Sequence, residues 1–512
     1  MGAALAWIIV AASLPGLGFA SPSADLTLQP NILLVVLDDM GWRDVGYNNG
    51  GFETPHIDRM AAEGVKLSNF YVAPTCTPTR AQLMTGRYNF RTGMQDSVIH
   101  STEPRGVSLE ETFLGEKLQS AGYATAHVGK WHLGMHMPQY TPGRRGFDAT
   151  YGILTGGGDH YDHVSMSQSF TPRYGTHSMT WSGHNIFEDG VVSPDNGVPR
   201  HSTELYGAKA RAYIAQMAVR PSPWFLYLAF QAVHDPIDTE PRWYTNNSCA
   251  AIVDPVTGRG DESVDWDARR VLCGMMAQVD SEVGMLRAKL EALGQWDRTA
   301  VFFLSDNGGI RSHGSINLPY SGEKGSTWEG GVRVPAFVGG GLVSRALARN
   351  LLNPYTFNGI WHVTDVHATV LRLAGLAPAA PVDDETAAAG IAAWEVLVAS
   401  KRAARDNVVL HLNSANFGGS AAVRMGAYKL IRNAEPSEAA IYNKVRAAAA
   451  DGPYRMSHTF FKATLETVLR QLSLATPTYL LFDLEQNPSE RTDGACDDAA
   501  ECTNLWGNEV SY

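Results

Sequence analysis

Several short stretches of this chain carry side chains suited to chemistry on a tetrahedral anion. Asp38-Asp39 and Asp306-Asn307 offer only oxygen ligands. That inventory suits a hard divalent cation, calcium or magnesium, rather than zinc. Arg80, Lys130 and Lys324 offer positive charge, Arg as a bidentate fork and Lys as a point charge. His132 and His234 can exchange protons near neutral pH. Cys76 opens the run Cys-Thr-Pro-Thr-Arg-Ala-Gln-Leu-Met-Thr-Gly, which ends at Gly86. Proline favours the first turn of a helix and glycine its end. Cys76 is therefore expected at or just before a helix N-terminus, where backbone N–H groups favour negative charge. Each residue also has a plain reading when taken alone: a turn Asp, a solvated Lys, a satisfied core His, a buried structural thiol.

The elements that must position these groups decide between the two readings. Asn31–Leu37 is a continuous apolar run, the pattern of a parallel strand buried on both faces. Val65–Tyr71, Ala124–Val128, Trp224–Phe230, Thr299–Leu304 and Val334–Val338 also read as strands. Helices are expected from Thr54-Pro55 to Glu63 with Gly64 as cap, and over Ser108–Ala121, Thr203–Met217, Asp267–Leu293 and Thr364–Leu373, the last capped by Thr364. Residues 135–200 lack a period and read as long loops over one face. Asp38-Asp39, Lys130/His132, His234 and Asp306-Asn307 each follow the C-terminal end of an expected strand. In doubly wound α/β folds, sites assemble there. That recurrence moves the balance from isolated turn residues toward one site.

The chain has 512 residues, enough for more than one core. Its net charge of −11 argues against nucleic acid as a partner, while leaving room for a local cationic pocket. Residues 1–20 hold a short apolar run followed by Gly18-Phe19-Ala20 and read as a cleaved signal peptide. No later stretch reaches spanning length, so no stable membrane span is expected. A secretory route makes disulfides permissible. Of the 5 cysteines, sequence proximity pairs Cys249 with Cys273 and Cys496 with Cys502. Asn246-Asn247-Ser248 is a glycosylation sequon. An Ala/Pro/Asp-rich stretch near 377–396 marks a boundary between a catalytic domain, 24–395, and a smaller domain, 396–512. In the latter, Val408–Leu412, Ala427–Ile431 and Tyr479–Asp483 read as strands and Phe460–Leu472 as a helix. His411 sits at one of those strand ends, a further candidate for the pocket.

Cys-x-Pro-x-Arg at 76–80 resembles the signature of the sulfatase family. Gly122–Gly134, His234-Asp235-Pro236, Ser305–Gly309 and Gly322–Pro335 look like further sulfatase motifs, in family order. Arg144–Asp148 and Gly322–Gly331 look most like the N-acetylgalactosamine-4-sulfatases (arylsulfatase B) and their near relatives. Leu481–Leu484, Asn487-Pro488 and Glu490-Arg491 match more loosely. The cysteine framework and residues 245–262 depart from that pattern.

The resemblance implies an α/β fold: a large mixed, mostly parallel sheet sandwiched by helices, alkaline-phosphatase-like, with a smaller C-terminal α+β domain. It implies that Cys76 is converted to formylglycine by a formylglycine-generating enzyme, and that one Ca2+ is held by Asp38, Asp39, Cys76, Asp306 and Asn307. By the same resemblance, Arg80, Lys130 and Lys324 would hold the site and the sulfate. His234 would protonate the leaving oxygen, and His132 would take a proton from the second hydroxyl of the aldehyde hydrate. The implied substrate is an aryl sulfate or sulfated carbohydrate, such as N-acetylgalactosamine 4-sulfate, met in the extracellular space or the lysosome. Two other readings compete. A phosphatase or phosphonate hydrolase on the same fold would more often carry Ser or Thr and more metal ligands. A non-catalytic binder of sulfated glycans would need neither acid nor base.

Overall fold

Every residue of Asn31–Leu37, strand β1, is buried. Successive side chains of a strand point to opposite faces. Ile32, Leu34 and Val36 accordingly join one core layer, and Leu33, Val35 and Leu37 the other. Such a strand must lie inside a sheet covered on both sides.

The computed structural model describes residues 29–48, 51–170, 178–196, 198–245, 247–252, 264–376, 394, 397–398, 405–413, 420–432, 479–485 and 490. After β1 come α1 (Pro55–Ala62), β2 (Val65–Tyr71), α2 (Cys76–Thr85), α3 (Leu114–Ser120), β3 (Ala124–Gly129), β4 (Ala149–Ile153), β5 (Val164–Phe170), β6 (Ser178–His184), β7 (Ile186–Glu188) and β8 (Val191–Val192). Next are α4 (Ser202–Ala218), β9 (Trp224–Ala229), α5 (Trp266–Ala292), β10 (Thr299–Ser305), α6 (Glu329–Val332), β11 (Ala336–Gly339), α7 (Gly341–Arg349), β12 (Tyr355–His362) and α8 (Val363–Leu373). The chain ends its described part with β13 (Asn407–Leu412), β14 (Ala421–Met425), β15 (Tyr428–Arg432) and β16 (Tyr479–Asp483).

A 10-stranded sheet runs β12-β2-β11-β10-β1-β9-β3-β4-β7-β8. Its centre, β10-β1-β9-β3-β4, is parallel throughout. β11 and the β7–β8 edge run antiparallel. Helices α2, α3 and α8 supply one core layer through Leu83, Leu118 and Val370. Helices α1, α4 and α5 supply the other through Ile57, Ile214 and Val279. A second, 4-stranded antiparallel sheet, β13-β14-β15-β16, packs on the first body through Val408, Ile431 and Phe482 against Tyr71, Trp328 and Val332. The expected α/β architecture with a smaller C-terminal sheet is what the chain adopts.

Several local expectations need correction. The helix expected from Ser108 starts only at Leu114. Leu109 is exposed and anchors nothing, while the Glu116 carboxylate accepts from the Phe113 N–H at 2.6 Å and sets the start. The expected loops of 135–200 contain β4, β7 and β8 of the main sheet and the β5–β6 hairpin. Helix α8 is capped by His362, whose ring accepts from the Thr364 N–H, and not by Thr364. Helix α1 closes on Glu63 rather than Gly64. The strand expected at Val334 begins at Ala336, beyond Pro335, which has no N–H for a ladder. Strands β12 and β14 were not anticipated. Cys249 and Cys273 form a disulfide, as expected. The signal peptide, the sequon asparagine, the domain boundary, Phe460–Leu472, Asn487-Pro488, Arg491, Cys496 and Cys502 lie outside the described residues. Among the described residues, no helix is long and apolar enough to cross a membrane.

Candidate active site

Four adjacent parallel strands deliver the expected groups to one edge of the sheet. Asp306-Asn307 follow β10, Asp38-Asp39 follow β1, His234 lies on the turn after β9, and Lys130 and His132 follow β3. Cys76 is the first residue of α2, with Thr75 as N-cap. Gly86 closes that helix in the left-handed region, at φ 75°. The whole helix is buried, so Cys76 and Arg80 are carried by a rigid element. Asp39 (φ 64°) and His132 (φ 60°) adopt the left-handed region without being glycine. Such conformations cost about 1 kcal/mol or more each and cluster at functional sites.

Contacts join these groups into one network. The Arg80 guanidinium donates Nε and Nη2 to Asp306 Oδ2 at 2.9 and 2.8 Å. Its Nη1 donates to Lys130 O at 3.0 Å and the Tyr227 hydroxyl at 3.2 Å. Lys130 Nζ donates to Asp38 Oδ2 at 2.5 Å, and Lys324 Nζ donates to Asp39 Oδ2 at 2.8 Å. Asn307 Nδ2 donates to Asp39 Oδ1 at 2.6 Å. Cys76 Sγ is 3.5 Å from Asp38 Oδ1. The Lys324 loop is tied to the same centre: Lys324 N–H donates to Gly309 O and Gly325 N–H to Pro74 O.

The two imidazoles are held in definite orientations. His132 Nε2 lies 2.8 Å from the Ile99 carbonyl, which can only accept. Nε2 therefore carries the proton, and Nδ1, buried and without a partner among the described residues, keeps its lone pair. His234 Nδ1 donates in the same way to Asp235 O at 2.8 Å, and Nε2 lies 3.8 Å from Asp39 Oδ2.

Burial and charge shape the titrations. Burial pushes the Cys76 thiol up to about 12, so the unmodified side chain stays protonated at neutral pH. Burial, with the Asp38 charge next to it, raises the Asp306 carboxyl to about 6. Burial also raises the Asp39 carboxyl, yet Lys324, His234 and Lys130 together hold it below the usual range. His234 is pushed down to about 4 by burial and the Lys324 charge. His132 is pushed well down by burial and Lys130.

The donor set fits a hard cation. Asn307 Oδ1 is buried and meets no donor among the described residues, while its Nδ2 is used twice. An orphaned carbonyl-type oxygen beside buried carboxylates is what a cation site leaves behind when described without its ion. Ligand-type atoms of Asp38, Asp39, Cys76 and His234 lie within 4.8 Å of one another. Asp306 and Asn307 reach this group through Asp39, whose N–H lies 3.3 Å from Asp306 Oδ1.

One sequence candidate falls elsewhere. His411 is held by the Ser420 hydroxyl on the second sheet at 3.0 Å. Tyr227 was missed in the sequence. A phenol inside an otherwise apolar buried strand was its only mark.

The Sulfatase family description matches residues 30–376. The chain belongs to the sulfatase family. It is 32% identical over 391 residues to mouse arylsulfatase J, covering 76% of this chain and 59% of that protein. It is 34% identical over 368 residues to mouse N-acetylgalactosamine-6-sulfatase, covering 68% of this chain and 63% of that one. It thus spans less than two thirds of the length of these relatives. The crystal structure of Ps i-CgsB superposes with a TM-score of 0.68 at 26% identity, covering 93% of this chain and 90% of that chain. A second structure, Ps i-CgsB in complex with k-i-k-neocarrahexaose, gives 0.64 at 26% identity, covering 93% and 97%.

Proposed function

We propose that the chain hydrolyses sulfate esters of carbohydrates after Cys76 is converted to formylglycine. One observation carries the reading: a buried cysteine opens a rigid helix within contact of Asp38, beside two ammonium groups and two oriented imidazoles. A protein that only binds glycans needs neither imidazole. Asp38, Asp39, Asp306 and Asn307, with the modified residue 76, would hold one calcium ion. When present, the ion supplies Lewis-acid polarisation, and the aldehyde hydrate supplies a hydroxyl nucleophile.

The chain's own residues supply the rest. Arg80 fixes Asp306 and the backbone of Lys130 and so holds the metal side of the site rigid. Lys130 and Lys324 place fixed positive charge where a sulfate would sit, a preorganised electrostatic site. His132 Nδ1 is free to accept a proton. His234 Nε2, 3.8 Å from Asp39 Oδ2, has a lone pair in the neutral ring; it would take up a proton once the negative sulfate offsets the Lys324 charge, and would then hand that proton to the leaving oxygen. The leaving alcohol is read as a sugar hydroxyl, as in the names of several relatives. N-acetylgalactosamine 4-sulfate and 6-sulfate are the substrates to compare. The secretory route and an extracellular or lysosomal destination belong to the same proposal, as do maturation by a formylglycine-generating enzyme and a division into domains 24–395 and 396–512.

The test joins two measurements. Mass analysis of the tryptic peptide Leu67–Arg80 should show the thiol replaced by an aldehyde. The same preparation should release sulfate from a fluorogenic aryl sulfate and from one of the two sugar sulfates. An unmodified thiol in a host that matures other sulfatases would overturn the catalytic reading.

A further inference from the structure

A fifth strand also ends at this edge of the sheet. Strand β4 pairs with β3 and runs into Leu154-Thr155-Gly156-Gly157-Gly158. The start of this loop is bound to the His132 segment: the Trp131 N–H donates to Ile153 O at 2.9 Å and the His132 N–H to Leu154 O at 3.2 Å. Its end is bound to the His234 segment: His160 Nε2 donates to His234 O at 3.1 Å, and Gln231 Nε2 donates to Gly158 O. The loop therefore spans the gap between the two imidazoles.

Sterics demand glycine at 156 and favour it at 157. A Cβ on Gly156 would lie 2.7 Å from His132 Cε1, and one on Gly157 would lie 3.2 Å from His234 Cε1. Neither residue has a positive φ, so backbone conformation does not explain the choice. Close packing of the rings does.

The loop's carbonyls and amides are used differently. Gly157 O accepts from the hydroxyls of Thr155 (3.0 Å) and Ser165 (2.9 Å) and from Asn185 Nδ2 (3.4 Å). In a trans peptide the N–H points opposite to the C=O. The Gly158 N–H thus points away from those donors. Among the described residues, no acceptor meets the N–H of Gly156, Gly157 or Gly158. All these glycines are partly exposed. Consecutive amides open to water beside the two imidazoles are donors that a ligand oxygen can take over from solvent.

We propose that Gly156–Gly158 is the leaving-group wall of the site, and that its amides donate to an oxygen of the sugar ring that carries the sulfate. This rests on the sulfate-ester reading and names the part of the substrate the wall holds. The absence of side chains leaves room for a pyranose ring against the loop, and the amides favour a ring rich in acceptors over a plain aryl group.

The experiment has two readouts. First, protein labelled with 15N-glycine is titrated with N-acetylgalactosamine and, separately, with inorganic sulfate. The amide signals of Gly156–Gly158 should shift with the sugar. Signals that stay still with the sugar, or move only with sulfate, would overturn the proposal. Second, Gly157→Ala should lower the ratio of kcat/KM on the sugar sulfate to that on the aryl sulfate by about tenfold. An unchanged ratio, whether both activities fall together or neither does, would also overturn it. If Gly157→Ala does not fold, the labelling experiment on the unaltered protein still decides. Failure of the sulfatase reading looks different: the unaltered enzyme would turn over neither ester.

Discussion

Arg80 and Cys76 sit four positions apart on one buried helix yet should respond to mutation in opposite ways. Arg80 is fully buried and its fork meets Asp306 twice. Removing one partner of a buried ion pair leaves the other charge uncompensated, at a cost of about 3–5 kcal/mol. Arg80→Gln is therefore expected to lose both activity and a large part of its stability, seen as a much lower denaturation midpoint. Cys76→Ala removes one buried sulfur whose hydrogen bond to Asp38 is long, at 3.5 Å. It is expected to abolish sulfate release while the denaturation midpoint changes little. Equal loss of stability in both variants would mean that Cys76 is structural. The chemistry at this scale was legible because Asp38, Asp39, Lys130, His234 and Asp306 each stand just beyond an apolar run. Gly156 and Gly157 were not legible, because a glycine carries no chemistry of its own. Its meaning appears only when the ring pressing on it is known.

At the scale of elements, the second sheet grips the Lys324 loop through a buried charge cluster. Lys429 on β15 bonds Glu329 Oε1 at 2.9 Å and Glu490 Oε1 at 2.8 Å, and all three residues are fully buried. Arg333 and the Tyr71 hydroxyl donate to Glu329 Oε2, and Arg424 donates to Tyr71. Burial and the neighbouring Glu329 charge push the Glu490 carboxyl up to about 7, against the pull of Lys429. Burial also acts to raise Glu329, but Lys429, Arg333 and Arg424 hold it down to about 2. The folded state thus holds the Glu490 proton more tightly than the unfolded chain does. That contribution is complete below the ordinary value of 4.5 and is lost as pH rises through about 7. The protein should lose stability between those values, and Glu490→Gln, which keeps a neutral group, should flatten the decline. Thermal midpoints of both proteins across that range test this; parallel curves would sink it.

The disulfide belongs to the same scale. It closes a span of 24 residues onto α5. The chain-entropy relation gives about 3.5 kcal/mol for a loop of that size. The paired Cys249→Ala and Cys273→Ala variant should show a loss near that figure in urea unfolding. These elements were partly legible. The long amphipathic α5 and the buried parallel strands announced themselves by period. Strands β7 and β8 are short, β14 buries Ala422 and the charged Arg424 on its inward face, and β12 carries a register shift between Phe357 and Ile360, so none of them shows an apolar alternation in the sequence.

At the scale of the whole molecule, the site is the place where separate parts of the chain are cross-braced. Asp38 and Asp39 come from the end of β1, Asp306 and Asn307 from the end of β10, and these strands are paired in register from Asn31–Thr299 to Leu37–Ser305. Carboxylates crowded at their ends repel one another, and the Asp306 carboxyl is raised first by burial and then by the Asp38 charge beside it. A divalent ion would remove the repulsion and bind only the folded chain. At a free concentration a hundred times its dissociation constant, such an ion stabilises by about 2.7 kcal/mol. Chelation should therefore lower the thermal midpoint, and calcium should restore it more fully than magnesium, because the larger ion tolerates an irregular set of oxygens. Hydrogen exchange adds a spatial check. Amides at the C-terminal ends of β1 and β10 should lose protection on chelation, while those of the second sheet should not. If chelation left both the midpoint and the β1–β10 amides unchanged, Arg80, Lys130 and Lys324 would be the only counter-charges the site needs. The oxygen cluster would then be a salt-bridge network rather than a metal site.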